Sequence, residues 1–539
     1  MLKFVKIISL INTITVLTGL FASCAVPPET ADVQTIPIVY ESAVQADFES
    51  DDYYSYMPNA VKINLDDGQP QTITASGAYR FSGKLENGCI AVNIDKNHDK
   101  GTVFIILDNA DIFSSSTPIN IIEAKKAVIV LEENSVNTIT QSGVGESVAE
   151  DFPSAALFSK ADLTVSGAGS LEIITDYNDG LNSRDDLKIT GGIITINAPG
   201  DGIVGKDSVS AENCSITITA GKDGIRSTNT EDNTKGYTAI YSGIFNITSQ
   251  DDCIQSQTSL YIKDGSFNLT SGGGFNGITG TANERMPGFG GKRPGGGERM
   301  PQNGENFSPR GKREFPTEGE IPSRELPEER MPRGNEDFMP PEGMENMIST
   351  GNTEDETLSA NAINSEGSIH ISGGMFNISA SHDGINAAGK IVIDGGKLMV
   401  SAGDDAVHSD ASLTAESCDV TVINSYEGLE APYIAINSGN FNITSSDDGI
   451  NVNGSGGDFV LNDGGITISA GGDGIDSNGK IILNGGNTVI DTKAVGPADT
   501  PIDYQTGFEN NGGTVTDFEG NSVALSNMPG MGMGRARGK

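Results

Sequence analysis

Residues 383–403 read DGINAAGKIVIDGGKLMVSAG, and residues 404–425 follow with DDAVHSDASLTAESCDVTVINS. The two stretches state one pattern twice. An Asp-Gly-Ile or Asp-Ala-Val opens each, and short runs alternating apolar with polar residues follow between Gly, Asn and Asp corners. Alternation over so few residues, with Ile and Val in the apolar places, marks half-buried strands. Working outward, the opening recurs at Asp179-Gly180-Leu181, Asp201-Gly202-Ile203, Asp223-Gly224-Ile225 and Asp252-Cys253-Ile254. It recurs again at Asp405-Ala406-Val407, Glu427-Gly428-Leu429, Asp448-Gly449-Ile450 and Asp473-Gly474-Ile475, with weaker copies at Asn276-Gly277-Ile278 and Asn361-Ala362-Ile363. The dominant step is 22 residues, with 21 to 29 elsewhere.

A unit repeated at such a period cannot bury its own apolar face and must stack on its neighbours. The expected fold is therefore all-β: a right-handed parallel β-helix with coils of about 22 residues. Two or three short strands make each coil, Ile and Val inside and Thr, Ser, Asn and Lys outside. A leucine-rich repeat lacks its L-x-x-L-x-L frame here, and a calcium β-roll would need tandem nonapeptides where only Gly471–Asp476 resembles one. Residues 62–140 lack the crisp period but carry the same strands, at Val61–Leu65, Ile90–Ile94, Val103–Leu107 and Val128–Leu131. They read as irregular first coils.

The flanks differ in composition. Lys3 and Lys6 precede an apolar run from Ile7 to Phe21 that ends at Phe21-Ala22-Ser23-Cys24. That layout is a signal peptide over residues 1–23, and it looks like a bacterial lipoprotein signal with Cys24 as the lipidated residue. Export and a lipid anchor facing outside are the expectation. Residues 24–59 are acidic and read as a flexible spacer. Residues 60–280 and 358–525 hold the coils. Between them, residues 281–357 have no period, are rich in Pro, Gly, Met, Arg and Glu, and contain eight of the chain's thirteen arginines. That composition predicts a disordered insertion, and residues 526–539 echo it as a tail. Cys214, Cys253 and Cys418 fall where neighbouring repeats carry Gly and read as small buried fillers, with no zinc or redox spacing.

The whole chain has 539 residues, 34 Lys and Arg against 73 Asp and Glu, and a net charge of −39. Such a chain will not hold nucleic acid by charge. If it binds a polyanion, a cation must stand between them. It also has no Trp, the usual platform for stacking sugars.

The stretches SAALFSKADLTVSGAGSLEI (154–173), YNDGLNSRDDLKITGG (177–192), GDGIVGKDSV (200–209), GDDAVHSD (403–410), SYEGLEA (425–431) and SSDDGIN (445–451) carry a resemblance. From about residue 60 to 525, the chain resembles the carbohydrate-binding parallel β-helix proteins of cellulolytic and gut bacterial surfaces. That family is related in shape to family 9 polysaccharide lyases. The resemblance implies calcium, affinity for acidic polysaccharides and cellulose, and no established catalysis. Cys253, Ala406 and Asn361-Ala362 depart from the motif, which weakens the implied calcium sites at those coils.

The residues speak for themselves as well. Equal offsets in successive coils stack about 4.8 Å apart, so the corner acids must form a row. Two unit charges about 5 Å apart repel by roughly 3 kcal/mol at an effective dielectric near 20. Calcium, which takes six to eight oxygens, suits such a row. A plain corner needs only one Asp, whose carboxylate can accept a backbone N–H. Doubled acids go beyond that need: Asp251-Asp252, Asp404-Asp405, Glu427 with Glu430, Asp447-Asp448, and Asp473 with Asp476. Asp176, Asn178, Asp179, Asp201 and Asp223 form an earlier cluster.

His98, His370, His382 and His408 make no catalytic or zinc spacing, and His408 reads as a polar corner residue. The triplets at Asn246 and Asn268 read as outward strand positions. Calcium-assisted binding of an acidic plant-wall polysaccharide, without catalysis, is the leading function. A calcium-dependent pectate-type lyase is the alternative, with Lys206 or Lys222 as its base. A structural adhesin meeting a protein along a flat face is the third.

Overall fold

A computed structural model describes residues 46–53, 55–143, 153–278, 360–492 and 499–527. The expected signal peptide, Cys24, the insertion at 281–357 and all but the start of the tail lie outside the described residues. Helix is confined, among the described residues, to single turns at Ser50–Asp52 and Leu65–Asp67. Everything else is a parallel β-solenoid of about 15 turns.

Three strands make a coil, and each type stacks into its own ladder. In one coil Ile385–Ala387 belongs to the first ladder, Ile391–Ile393 to the second and Lys397–Ala402 to the third. The first ladder is a 16-stranded sheet of its own. The other two merge in the early coils through the long strand Thr102–Ser114, which pairs with both Lys126–Leu131 and Val136–Gln141. The expected early strands sit here as irregular coils, at Val61–Asn64, Ile90–Asn93, Thr102–Ser114 and Lys126–Leu131.

The period averages about 24 residues against the expected 22. Loops account for the excess. Between Asp223 and Asp252, for example, residues 228–236 leave the coil after Ser227 and return at Tyr237. The alternation of sequence becomes alternation of burial. Along the first ladder Leu181, Ile203, Ile225, Ile254, Ile363, Ile385, Val407, Leu429, Ile450, Ile475 and Ile502 stack inside, each almost wholly buried. In the third ladder Phe245, Phe267 and Phe376 stack nearly parallel, with centroids 5.0 and 4.5 Å apart. Removing one such buried side chain costs about 2–5 kcal/mol.

The last two of those rings come from opposite sides of residues 281–357. Ile254 pairs with Ile363 and Phe267 with Phe376, so the solenoid loses no rung across the insertion. The second residue of the Asp-Gly opening is small because of packing. A Cβ on Gly224 would lie 2.4 Å from Ile247 Cγ2. Cys253, Ala362 and Ala406 take the same place in other coils, wholly buried. Cys214 and Cys418, paired with Gly243 and Gly439, are buried free thiols as expected.

Residues 46–53 correct the spacer reading. They lie against the second ladder, and Asp52 is fully buried. Lys126 Nζ reaches Glu49 at 2.9 Å and Asp52 at 2.8 Å, and also pairs with Asp51. Thr164 Oγ1 donates to Asp52, and the Phe48 ring packs edge-on against Tyr241. Burial opposes the Asp52 charge, yet Lys126 and Thr164 hold its carboxyl below the usual range. A spacer would have no reason to bury a carboxylate; this stretch is part of the fold.

Candidate functional site

The corner before each first-ladder strand is where the acids converge. Its geometry follows from one repeated bond: the carboxylate of one coil accepts the backbone N–H of the next coil's corner. Asp201 N–H donates to Asp179 Oδ1 at 3.1 Å, Asp223 N–H to Asp201 at 3.1 Å, and Asp252 N–H to Asp223 at 3.0 Å. The chain continues through Asn361, Asp383 and Asp405, and later from Asp473 N–H to Asp448 at 2.6 Å. In Asp179, Asp201, Asp223, Asp252, Asp383, Asp448 and Asp473 one oxygen thus serves the corner. The other takes no part in closing it.

What meets that second oxygen comes mostly from a parallel column, the middle residue of each first-ladder strand, three positions after the corner. In register these are Asn182, Val204, Arg226, Gln255, Asn364, Asn386, His408, Glu430, Asn451, Asp476 and Asp503. Asn182 Nδ2 donates to Asp179 at 2.9 Å. Arg226 lies 3.0 Å from Asp223 and 3.4 Å from Asp201. Asn364 donates to Asp252 at 2.7 Å.

His408 Nδ1 stands between Asp405 at 3.0 Å and Glu430 at 2.9 Å. It is an ion-pair partner in this structure, more than the polar corner residue expected. His382 sits by Asp383 at 3.2 Å and Asp404 at 3.7 Å. The hydrogen bond to Asp383 lifts His382 to about 9. Burial opposes the charge on His408, but Asp405 and its acidic neighbours still push that imidazole up to about 9. Both therefore supply positive charge at neutral pH.

The expected site residues separate accordingly. Asp179, Asp201, Asp223, Asp251 and Asp252 share one stretch of the column. Asp176 is an exposed turn residue taking Ser142 Oγ at 2.7 Å, and Asn178 lies beside the column. Asp404, Asp405 and Glu430 gather around the two histidines. Glu427 accepts from Asn451 at 2.8 Å, and Glu430 also accepts from Asn453 at 2.7 Å.

The stretch from Tyr426 to Asp503 is different. It contains no Arg or His and only two lysines. Lys480 pairs with Glu509 at 2.7 Å on the second ladder, and Lys493 lies outside the described residues. Over these coils Glu427, Asp447, Asp448, Asp473 and Asp476 come together, with Asp499 and Asp503 beyond. Burial and the charges of Glu427, Asp447, Asp476 and Asp473 push Asp448 well above the carboxylate range. Burial and three neighbouring acids push Asp473 up to about 7. Upstream, burial and a neighbouring acid raise Asp179 to about 6, Asp223 to about 7 and Asp252 to about 8.

Hard oxygen donors crowded into a stretch so poor in basic residues fit calcium in kind. Around Asp405 and Glu430 a metal would have to compete with His408. The residues that sequence reasoning missed are the neutralisers: Arg226, His382, His408 and the amides. Their offset of three from the corner acid, as in Asp223-Gly224-Ile225-Arg226, was the available signal. Of the candidate bases, Lys206 faces Glu231 at 3.8 Å, and Lys222 is exposed.

The family model of the carbohydrate-binding domain-containing proteins matches residues 67–406 and 404–517. A carbohydrate-binding domain-containing protein of Acetivibrio thermocellus is 38% identical over 277 residues, covering 50% of this chain and 91% of that protein. The solved structure of a polysaccharide lyase-like protein from C. thermocellum, a gadolinium derivative, is 33% identical with a TM-score of 0.37, over 40% of this chain and 91% of that one. The chain belongs to the carbohydrate-binding domain-containing family.

Proposed function

We propose that this carbohydrate-binding protein holds calcium on its last coils and through it binds an acidic polysaccharide such as polygalacturonate, without catalysis, as an exported lipoprotein anchored at Cys24. The observation that carries the reading is the surplus of acids over bases between Tyr426 and Asp503, where burial and mutual repulsion lift Asp448 and Asp473. A group so raised is neutral at the cost of a bound proton, or charged if a cation is present. Glu427, Asp447, Asp448, Asp473 and Asp476 would hold the ion. Bound there, calcium supplies the positive charge that a −39 chain otherwise lacks for holding a uronate carboxylate.

The test is affinity electrophoresis in polygalacturonate, with calcium or chelator, beside thermal melting and an absorbance assay for unsaturated product. Retention and a raised melting temperature in calcium are expected, since a ligand of the native state stabilises it by mass action. Retention and melting that ignore chelator would overturn the calcium reading. Accumulating unsaturated product would make the protein a lyase.

A further inference from the structure

Residues 46–53 do more than bury a carboxylate: they cross the second ladder. Asp51 takes Thr102 Oγ1 and Lys126, and Asp52 takes Thr164 Oγ1 at 2.5 Å and Lys188 Nζ at 3.1 Å. Tyr53 OH donates to Glu212 at 2.8 Å, and Ala46 N–H donates to Tyr241 OH at 2.7 Å. Thr102, Lys126, Thr164, Lys188, Glu212 and Tyr241 stand on, or just past, six successive rungs of that ladder. The crossing therefore covers about 24 Å. Just downstream, Met57 and Ala60 cover Val128 and Val130, which face outward beside Ile106.

The core does not need this cover, since the inward Leu163, Leu187 and Val209 are buried on their own side of the strands. The face beneath is polar, and Ser210, next to Lys188 in register, is 1% exposed with its hydroxyl left without a hydrogen-bond partner. What holds the crossing is matched charge and one ring. Glu49, Asp51 and Asp52 surround Lys126, and Phe48 packs on Tyr241 and over Lys188.

Where the crossing ends is the informative part. The solenoid begins at Val61–Asn64, two rungs before Lys126–Leu131 takes its place beside Thr102–Ser114. The chain upstream of Ala46 nevertheless leaves at the rung of Tyr241, seven rungs or about 34 Å along a solenoid of about 15 turns. Each coil runs through the first, second and third ladders in turn. The corner acids lie between the third ladder of one coil and the first ladder of the next. The second ladder is the one ladder that does not border that edge.

We propose that residues 46–53 are a clamp that orients the solenoid on its tether. Resting on the reading of Cys24 as the anchor, the clamp lets the tether leave at mid-flank, on the ladder turned away from the corner acids. That flank then faces the anchoring surface, and the acidic edge faces outward where a polysaccharide can reach it. Without the clamp the tether would leave at Val61, and the solenoid would hang from its first coil.

The test is energy transfer to a vesicle surface from dyes on two sides of the solenoid. Lys263→Cys, just past the second-ladder strand Ser259–Ile262, and Lys222→Cys, beside the corner acid Asp223, replace exposed lysines one coil apart. Each is made in the chain 25–539 with Cys89→Ser, because the other thiols are buried. A hexahistidine ahead of residue 25 holds the protein on nickel-lipid vesicles carrying an acceptor dye, so no acyl chain is needed. Transfer from position 263 should be at least twofold more efficient than from position 222. Phe48→Ser/Asp52→Ser should open residues 46–53 to amide exchange, leave Gly243–Ser249 as protected as in wild type, and erase the contrast. Should that variant lose protection in Gly243–Ser249, replacing residues 46–53 by glycine and serine keeps the tether length and must erase the contrast in its place. A native protein whose Cys24 carries no acyl group would sink the anchor reading and leave the vesicle measurement of the clamp standing. Equal transfer from the two positions in wild type, or a contrast that survives the open strap, overturns the clamp.

Discussion

Two stretches of one acidic column are built on the same corner and end differently. From Asp179 to Asp405 the second carboxylate oxygen meets Arg226, His382, His408 or an asparagine amide. From Glu427 to Asp503 the amides of Asn451 and Asn453 remain, but the segment supplies no Arg or His. Since the backbone bond that closes each corner is shared by both, shape cannot account for the difference. What separates them is the source of counter-charge. In the first stretch it is Arg226, His382 and His408 of the chain itself, with His408 reaching on to Glu430. Beyond Glu430, on the function proposed above, it is a proton or a bound cation.

The broadest way to break that comparison is pH, because many groups act together. A carboxyl whose folded pKa exceeds its unfolded value stabilises the protein fully at low pH and loses that contribution as pH rises through the folded value. Those values are about 6 for Asp179, about 7 for Asp223 and Asp473, and about 8 for Asp252. The histidines at about 9 stabilise below their ordinary pKa and lose that contribution as pH climbs through 9. Both kinds therefore push the same way. In chelator, stability should fall steadily between pH 5 and 9, by several kcal/mol in all, since a tenfold change in proton affinity is worth about 1.4 kcal/mol. Melting temperatures across that range would show the decline. Calcium competes with protons for carboxylates, so the calcium-induced rise in melting temperature should grow over the same range. A calcium increment independent of pH would show that the ion binds away from the raised acids.

A narrower break turns the first kind of stretch into the second. His408→Ala leaves Asp405 and Glu430, 1 and 0% exposed, without the imidazolium between them. Removing one partner of a buried pair costs about 3 kcal/mol or more. The loss should appear in chelator and be largely recovered by calcium, which can replace the histidine's charge. If calcium fails to recover it, the column does not exchange one counter-charge for another, and the comparison loses its basis.

Much of this was legible in the residues. The 22-residue step and the inward Ile and Val were enough for the coils, because each strand's alternation is local. The corner column followed from stacking equal offsets. The counter-charges were harder, since His408 and Glu430 are neighbours only through the coil register, and a polar corner histidine looks the same in sequence. Residues 46–53 were misread for a stronger reason. Their acids are held by Lys126, Thr164 and Lys188, contacts 74 or more positions away that leave no periodic trace. Asn361 is the instructive exception. It departs from the acidic motif, yet its Oδ1 accepts the Asp383 N–H at 3.1 Å, so the corner needs an acceptor there and not a charge.

That exception supplies the finest test. Asp447→Asn/Asp448→Asn keeps the acceptor that closes the corner while deleting charge from the crowded stretch. Asn361 shows that the fold already accommodates such a residue in the column. Neighbouring charges about 5 Å apart repel by roughly 1–3 kcal/mol in a partly solvated setting, and Asp448 is lifted by four acids at once. In chelator at pH 8 the double variant should therefore be more stable than wild type, by about 1–2 kcal/mol. In calcium the order should reverse, because the wild type gains an ion that the variant has lost the ligands to hold. Retention by polygalacturonate should disappear with that increment. The crossing of the two stabilities is the decisive reading: a corner that merely tolerated its acids would show the gain in chelator and no reversal, and one that needed them for folding would show no gain at all.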